Sequence, residues 1–171
     1  SEIYFAEGFI ETFANCTTLT AAPTWKVNQM KQEDTGTFYF ARTFQGCTGM
    51  VTCDWDMFNV PNTHWGVNNM HGTFYDCSSL ITTPVMGSNT FETEVYPEDN
   101  AFGNCTSLST VIWLATNMPN SFGDNCFTQD SGTLVLRDDW ENRWTAGDWI
   151  GVKVPATWTI KSWTEYQGEI N

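Results

Sequence analysis

The residue types that could carry catalysis are scarce in this chain. Its 171 residues include two histidines, His64 and His71, and neither lies in a His-Glu-x-x-His or similar catalytic pattern. Asp54 and Asp56 form an Asp-x-Asp, a spacing that could hold a metal or place two carboxyl groups for glycoside hydrolysis. With twenty acidic residues, however, such pairs arise by chance. The sequence therefore predicts a protein without enzymatic activity.

A second group of acidic residues lies in the stretch FETEVYPEDN, residues 91–100. Calcium prefers clustered carboxylate oxygens, and no Lys or Arg lies in this stretch. The candidate calcium ligands are Glu92, Glu94, Glu98 and Asp99. EF-hand spacing is missing, so a solvated acidic loop is the favoured interpretation, and calcium is the one cofactor left open.

Tryptophan is the strongest candidate for ligand binding, since the chain has nine. Each of four tryptophans follows a Leu or Met by five or six residues: Trp25, Trp55, Trp113 and Trp140. If these side chains face outward, they form a stacking surface for sugars or protein partners. If they face inward, they pack loops against the interior, which is the favoured of the two interpretations.

The charge distribution excludes some partners. Twenty acidic and seven basic residues give a net charge of −13, and no Lys or Arg occurs between Thr43 and Leu136. Binding to nucleic acid or anionic lipid requires basic groups that neutralise phosphates, so neither partner is expected. No apolar run approaches the roughly 20 residues of a membrane span, so we expect no membrane insertion.

A seven-residue phrase occurs four times, as FANCTTL, FQGCTGM, FYDCSSL and FGNCTSL, with a degenerate fifth copy at 121–126. The phenylalanines that open the copies are 31, 30 and 28 residues apart, a period typical of stacked-repeat proteins. The repeated positions are Phe13, Cys16, Leu19, Phe44, Cys47, Met50, Phe74, Cys77, Leu80, Phe102, Cys105 and Leu108. A three-residue step places all three side chains of each copy on the inner face of a helical or 3₁₀ turn.

Two further positions of the phrase indicate backbone geometry. Asn15, Gly46, Asp76 and Asn104 precede the cysteines, and these types tolerate the left-handed conformation that stops a turn. The closing Leu or Met begins an extended stretch, as in LTAAP, MVTCD, LITTP, LSTVI and, farther along, LVLR. We therefore predict an α/β solenoid in which short parallel strands stack about 4.8 Å apart beside helical or 3₁₀ turns.

The tail differs from the repeats and predicts a cap. Trp140 and Trp144 lie one helical turn apart, while IGVKV (150–154) and TWTIK (157–161) alternate like strands. A stack of repeats needs an atypical last element to cover its open end. We predict one domain, with residues 1–133 as the repeat region of about four coils and residues 134–171 as its capping element.

The phrase also carries a family resemblance. The segment VNNMHGTFYDCSSLITTP (67–84) resembles the leucine-rich repeats of the BspA-like class of bacterial surface proteins, and ATNMPNSF (115–122) is similar to the first half of that repeat. The resemblance covers roughly residues 9–154. It implies a leucine-rich-repeat-like solenoid and a role in surface adhesion or protein binding.

The cysteines do not read as a disulfide framework. Cys16, Cys47, Cys77 and Cys105 occupy equivalent positions, so they should point the same way from stacked turns, whereas a disulfide needs facing Cβ atoms about 3.5–4.5 Å apart. We expect free thiols that act as small buried groups. For Cys53 and Cys126, which break the pattern, pairing stays open.

The function predicted from the sequence is recognition of a protein or glycan ligand on a host or neighbouring cell, at an extracellular or cell-surface location. A bacteriophage virion protein that contacts the host is one alternative. A carbohydrate-binding or carbohydrate-active protein that uses the tryptophans is another. The sequence begins at Ser1 without a signal-peptide pattern, which fits a trimmed secreted domain as well as a protein made in the cytoplasm.

Overall fold

A computed structural model describes residues 9–23, 40–54, 64–65, 70–87, 89–90, 94–95 and 100–171. These residues form a small parallel sheet with few helices, an α/β arrangement. The elements are β1 (His64–Trp65), β2 (Met86–Gly87), β3 (Glu94–Val95), β4 (Thr110–Leu114), β5 (Thr133–Leu136), a 3₁₀ helix (Trp140–Asn142), α1 (Ala146–Gly151), β6 (Thr159–Ser162) and α2 (Trp163–Ile170). Within these ranges, no helix has the length and apolar character that crossing a membrane requires.

The main sheet has the strand order β2-β4-β5-β6, and every neighbouring pair is parallel. Isolated parallel bridges, Ala21 with Thr52 and Thr82 with Thr110, extend the pairing toward the N-terminal repeats. A separate parallel pair joins β1 to β3. The predicted parallel pairing of the extended stretches is thus confirmed where the structure describes them.

The four repeat turns, residues 13–19, 44–50, 74–80 and 102–108, have the predicted three-residue step. In the third, Cys77 N–H donates to the Phe74 carbonyl and Leu80 N–H donates to the Cys77 carbonyl, both at 3.0 Å. The residues that precede the cysteines have φ angles between 58° and 73°, in the left-handed region. These angles confirm the prediction that Asn, Gly or Asp ends each turn. Such residue types occur there because they tolerate the left-handed conformation.

Successive repeat turns are joined by backbone hydrogen bonds and by stacked rings. Phe44 N–H donates to the Thr73 carbonyl at 2.9 Å, and Phe74 N–H donates to the Ala101 carbonyl at 2.8 Å. The rings of Phe44 and Phe74 have centroids 5.5 Å apart, and those of Phe74 and Phe102 are 5.2 Å apart and nearly parallel. Each copy therefore packs on the next through equivalent groups.

The cysteines of the second, third and fourth turns are buried within this stack. The thiols of Cys47, Cys77 and Cys105 each donate to the carbonyl of the preceding turn's phenylalanine at 3.0–3.1 Å. Burial raises the pKa of all three thiols above the ordinary value, which keeps them protonated donors. Cys16 differs: it is exposed, because it belongs to the first turn and a described turn covers only one side of it.

Cys53 and Cys126, whose pairing the sequence left open, are both buried, and neither forms a disulfide within the described residues. The Cys126 thiol donates to the Gly123 carbonyl at 3.1 Å. Burial raises the pKa of Cys126 to about 12, so the thiol is neutral at physiological pH.

The sheet separates two apolar clusters. Its inner face contributes Val111, Trp113, Leu134 and Leu136 to the main core, which also contains the repeated Phe and Cys side chains. On its outer face, Ile112, Leu114 and Val135 form a smaller cluster against α2. Alternation along β4 and β5 produces this division, because successive side chains of a strand point to opposite faces.

The tail differs in one element from the prediction. The stretch IGVKV was expected to be a strand, but α1 covers Ala146–Gly151, so that prediction is wrong. A capping box explains the helix: Thr145 N–H donates to the Asp148 carboxylate at 2.7 Å, which fixes the first turn locally. The stretch TWTIK does contain a strand, β6.

Candidate functional site

Of the four tryptophans singled out by their spacing, the structure describes Trp113 and Trp140, and neither is exposed. Trp25 and Trp55 lie outside the described residues. Trp113 is 0% exposed, packs edge-on against Phe122 and donates its indole N–H to the Asn117 carbonyl. It lies on the inner face of β4, which agrees with the favoured interpretation that these tryptophans face inward. Trp140 is half-buried against the main core.

Most of the acidic candidate residues lie outside the part of the chain that the structure describes. Glu92, Glu98 and Asp99 lie outside the described residues, and Glu94 is placed only as backbone in β3. Asp54 is exposed, whereas its partner Asp56 also falls outside the described ranges. Among the side chains that the structure describes, no group of three or more His, Cys, Asp or Glu could hold a metal ion.

The clearest binding feature is a groove on the outer face of the sheet, and it begins at a β-bulge. Thr82 pairs with Thr110, yet Met86 pairs with Trp113, so the segment before β2 contains one residue more than β4 between these two points. Pro84 lies in this segment and has no N–H to donate to a ladder. A bulge accommodates the extra residue and bends the strand away from its neighbour.

Thr83 supplies hydrogen bonds between the strands at this bulge. Its side-chain oxygen accepts a hydrogen bond from Ile112 N–H at 2.9 Å, in place of a backbone carbonyl. Its backbone N–H donates to the Thr110 carbonyl at 3.0 Å. The bulge is therefore fixed in position despite its irregular pairing, and it forms one side of the groove.

Helix α2 forms the opposite side of the groove. Ser162 and Glu165 make a capping box, in which Ser162 N–H donates to the Glu165 carboxylate at 2.7 Å. Trp163 and Tyr166, three residues apart, pack against the outer-face cluster with ring centroids 6.2 Å apart. The pattern Ser-x-x-Glu, which contains Trp163 and directly precedes Tyr166, was a readable helix signal in the sequence.

Asp138 ties the two sides of the groove together. Its carboxylate accepts hydrogen bonds from Thr164 N–H at 2.9 Å and from the Thr164 hydroxyl at 2.8 Å, at the start of α2. It also accepts a hydrogen bond from the Asn89 amide at 2.8 Å, beyond β2. Partial burial acts to raise the pKa of Asp138, but these hydrogen bonds outweigh it and lower the pKa below 3.8.

The groove has a volume of about 550 Å³, within the range that holds small ligands or a few side chains. Ile112, Leu114 and Val85 provide apolar surface, and hydroxyl groups of threonines border it. The lining residues include Trp163, Tyr166 and Ile170 of α2, and Asp54. This combination can bind an apolar chain and orient it through a few polar groups.

A second, more polar hollow lies on the other side of the repeat turns. Glu11, Arg42, His71 and Tyr75 line it, and Arg42 donates to the Glu11 carboxylate at 3.1 Å across exposed surface. His71 is half-buried there. Arg42 and Glu11 already pair with each other, and the described lining of this hollow lacks the apolar surface typical of ligand sites, so the outer-face groove is the better candidate site.

Comparisons of the chain with protein-family models, with curated proteins and with solved structures find no match.

Proposed function

We propose that this chain is a leucine-rich-repeat-like solenoid that recognises a partner without catalysis, through the groove between the bulge and α2. Supporting the solenoid are the repeat turns, which stack through equivalent hydrogen bonds and rings. Residues 1–133 would form its repeat region and residues 134–171 its cap. As a surface-displayed module, it would meet its ligand outside the cell.

The observation that carries the proposal is the way the groove is held open. Thr83 fixes one side through Ile112, and Asp138 links α2 to Asn89 across the top. A cleft that is shaped before the ligand arrives avoids part of the entropy cost of binding. Rigid repeats that support an irregular cleft provide the requirements for recognition.

The test is to block the groove without unfolding the protein. A mixture of random hexapeptides and a panel of neutral oligosaccharides would be added to ¹⁵N-labelled protein, and amide chemical shifts would be recorded. We expect shifts at Thr82, Val85 and Gln167, which line the groove. Thr82→Phe, which places a ring in the groove, should abolish them.

The matched control is Thr106→Phe on the exposed turn side of the stack, which should leave the shifts unchanged. Urea unfolding of both variants checks that the fold is kept. If no probe moves the groove amides, or if binding survives Thr82→Phe in a folded protein, the proposed site is wrong.

A further inference from the structure

The charge around the groove is one-sided. Among the described residues that line the groove, Asp54 carries a formal charge and none is Lys or Arg. Most of the lining comes from the part of the chain between Thr43 and Leu136, which has no basic residue at all. An anionic ligand would therefore find no cation along the described part of the lining, whereas a basic ligand would find a carboxylate.

Two basic side chains that the structure describes near this face are already engaged. Lys161 shares the outer face through its register with Val135, and its ammonium group is ion-paired with Glu169 of α2. Arg137, at the end of β5, is buried and donates to Asp139 at 2.9 Å and to the Leu114 carbonyl at 3.2 Å. Neither side chain counters the negative potential of Asp54 and of an acidic chain.

The rest of the lining suits a basic side chain better than a compact ion. Trp163 and Tyr166 present aromatic rings beside Ile112 and Leu114. The methylene stems of Lys and Arg pack well on apolar surface, and their charged ends bind the faces of Trp and Tyr rings. The aromatic pair and Asp54 can therefore contact different basic side chains of one bound segment.

The dimensions of the groove set the length of the ligand. From the strand position of Thr52, across Thr82, to Ile112 there are two inter-strand steps, or about 10 Å. Extended peptide advances about 3.3 Å per residue, so roughly three to four residues cross this distance. The volume of about 550 Å³ fits a segment of that length and no folded domain.

We propose that the groove binds an extended segment of a partner protein in which Lys or Arg alternates with aliphatic residues. This inference rests on the proposed function, because it names the ligand class for the same groove. Basic ends would meet Asp54 and the faces of Trp163 and Tyr166, while aliphatic residues would lie against Ile112 and Leu114.

The experiment compares three capped pentapeptides that differ at their charged positions alone: Lys-Leu-Lys-Leu-Lys, the same sequence with Gln for Lys, and the same with Glu for Lys. Affinity is measured by calorimetry on the full chain, and location by amide chemical shifts. The Lys peptide should perturb Thr82, Val85 and Gln167 and bind at least about tenfold more tightly than the Gln peptide. The Glu peptide should not bind, and raising the salt concentration should weaken the binding of the Lys peptide.

Two variants separate charge from shape. Asp54→Asn keeps the size of an exposed side chain and should lower the affinity for the Lys peptide by about three- to tenfold. Trp163→Leu keeps apolar contact with the outer-face cluster but removes the ring, and should weaken it by about threefold. Asp130→Asn removes the same charge from an exposed position outside the lining and should leave affinity unchanged.

Several results would overturn this inference and leave the proposed function standing. One is equal groove binding of the Lys and Gln peptides; another is an equal effect of Asp54→Asn and Asp130→Asn. Occupation of the groove by a neutral oligosaccharide but not by the Lys peptide would assign it to sugar. If no peptide and no oligosaccharide perturbs the groove, the proposed function fails together with the inference.

Discussion

The repeat turns and the C-terminal segment, residues 134–171, use aromatic side chains in opposite ways. In the repeat turns, equivalent phenylalanines stack nearly parallel, as Phe74 and Phe102 do with an interplanar angle of 3°. In the C-terminal segment, Trp144 meets Trp149 edge-on at 85°. Parallel ring stacking therefore joins the described repeat turns, whereas the aromatic pairs of the C-terminal segment pack at other angles, including 31° for Trp163 and Tyr166 beside the groove.

The direction of the pKa shifts also differs between the repeat turns and the C-terminal segment. The raised pKa values belong to buried thiols, three of which, Cys47, Cys77 and Cys105, lie in the repeat turns. Among described residues, the carboxyl groups with a lowered pKa all lie in the C-terminal segment. They are Asp138, Asp139, Asp148 and Glu165. Neutral buried groups hold the stack, while charged hydrogen-bonded groups hold the tail.

The largest expected effect tests the ring stack. Phe74→Ala removes a fully buried ring that lies between Phe44 and Phe102, and should lower the free energy of unfolding by about 3–5 kcal/mol. Phe13→Ala, at a half-buried ring that stacks on Phe44 in the first turn, should cost about half as much. Urea unfolding measures both. Equal losses would contradict the expectation that a ring stacked on both sides contributes more to stability than a half-buried ring of the first turn.

A smaller effect contrasts two glycines. Gly87 in β2 has φ of 93°, and a Cβ there would lie 2.5 Å from Ala115 N, so Gly87→Ala should destabilise the protein by about 1–3 kcal/mol. Gly168 in α2 has open space around its Cβ position, and Gly168→Ala should stabilise the protein by about 0.5–1 kcal/mol. Thermal melting of both variants measures the difference. A change of the same sign at both sites would contradict the conclusion that the backbone requires glycine at position 87 but not at position 168.

The smallest effect is acid loosening of the tail. Because the pKa of Asp138 is lowered in the folded protein, its contribution is complete above its ordinary value of 3.8 and is lost as pH falls below it. Hydrogen exchange, corrected for intrinsic rates, should show α2 amides losing protection between about pH 4 and pH 3 before the repeat turns do. Asp138→Ala should produce the same loss at pH 7, by about 1 kcal/mol, as for removal of a helix cap.

An Asp130→Ala variant, which changes an exposed carboxylate outside the tail contacts, is the control and should leave exchange unchanged. Acid loosening of the repeat turns before α2 would show that the carboxyl groups of the tail do not hold it.

Much of the repeat region was readable from the sequence because its copies constrain one another. The three-residue step of Phe, Cys and Leu and the left-handed residue before each Cys appear as predicted. Equivalent positions in stacked copies need equivalent shapes, so each copy tests the others. The exception is Cys16, whose exposure depends on its place at one end of the described stack.

The candidate site was less predictable. Spacing after a Leu or Met singled out Trp113, but its facing depends on strand alternation in β4, which buries it. Trp163 and Tyr166 went unnoticed, although the Ser162–Glu165 capping box marked their helix. Local signals could have predicted that α2 exists. They could not predict that α2 packs on the outer-face cluster.

The sequence by itself determined the turn geometry, the parallel pairing and the acidic character of this protein, because each depends on residue types at short, repeated spacings. Tertiary structure alone decided where a ligand could bind. The groove needs the segment before β2 to contain one residue more than the part of β4 with which it pairs. It also needs Asp138, which lies 49 residues beyond Asn89 in the sequence, to hold the start of α2. Such contacts between distant segments arise when the chain packs, and no local pattern encodes them.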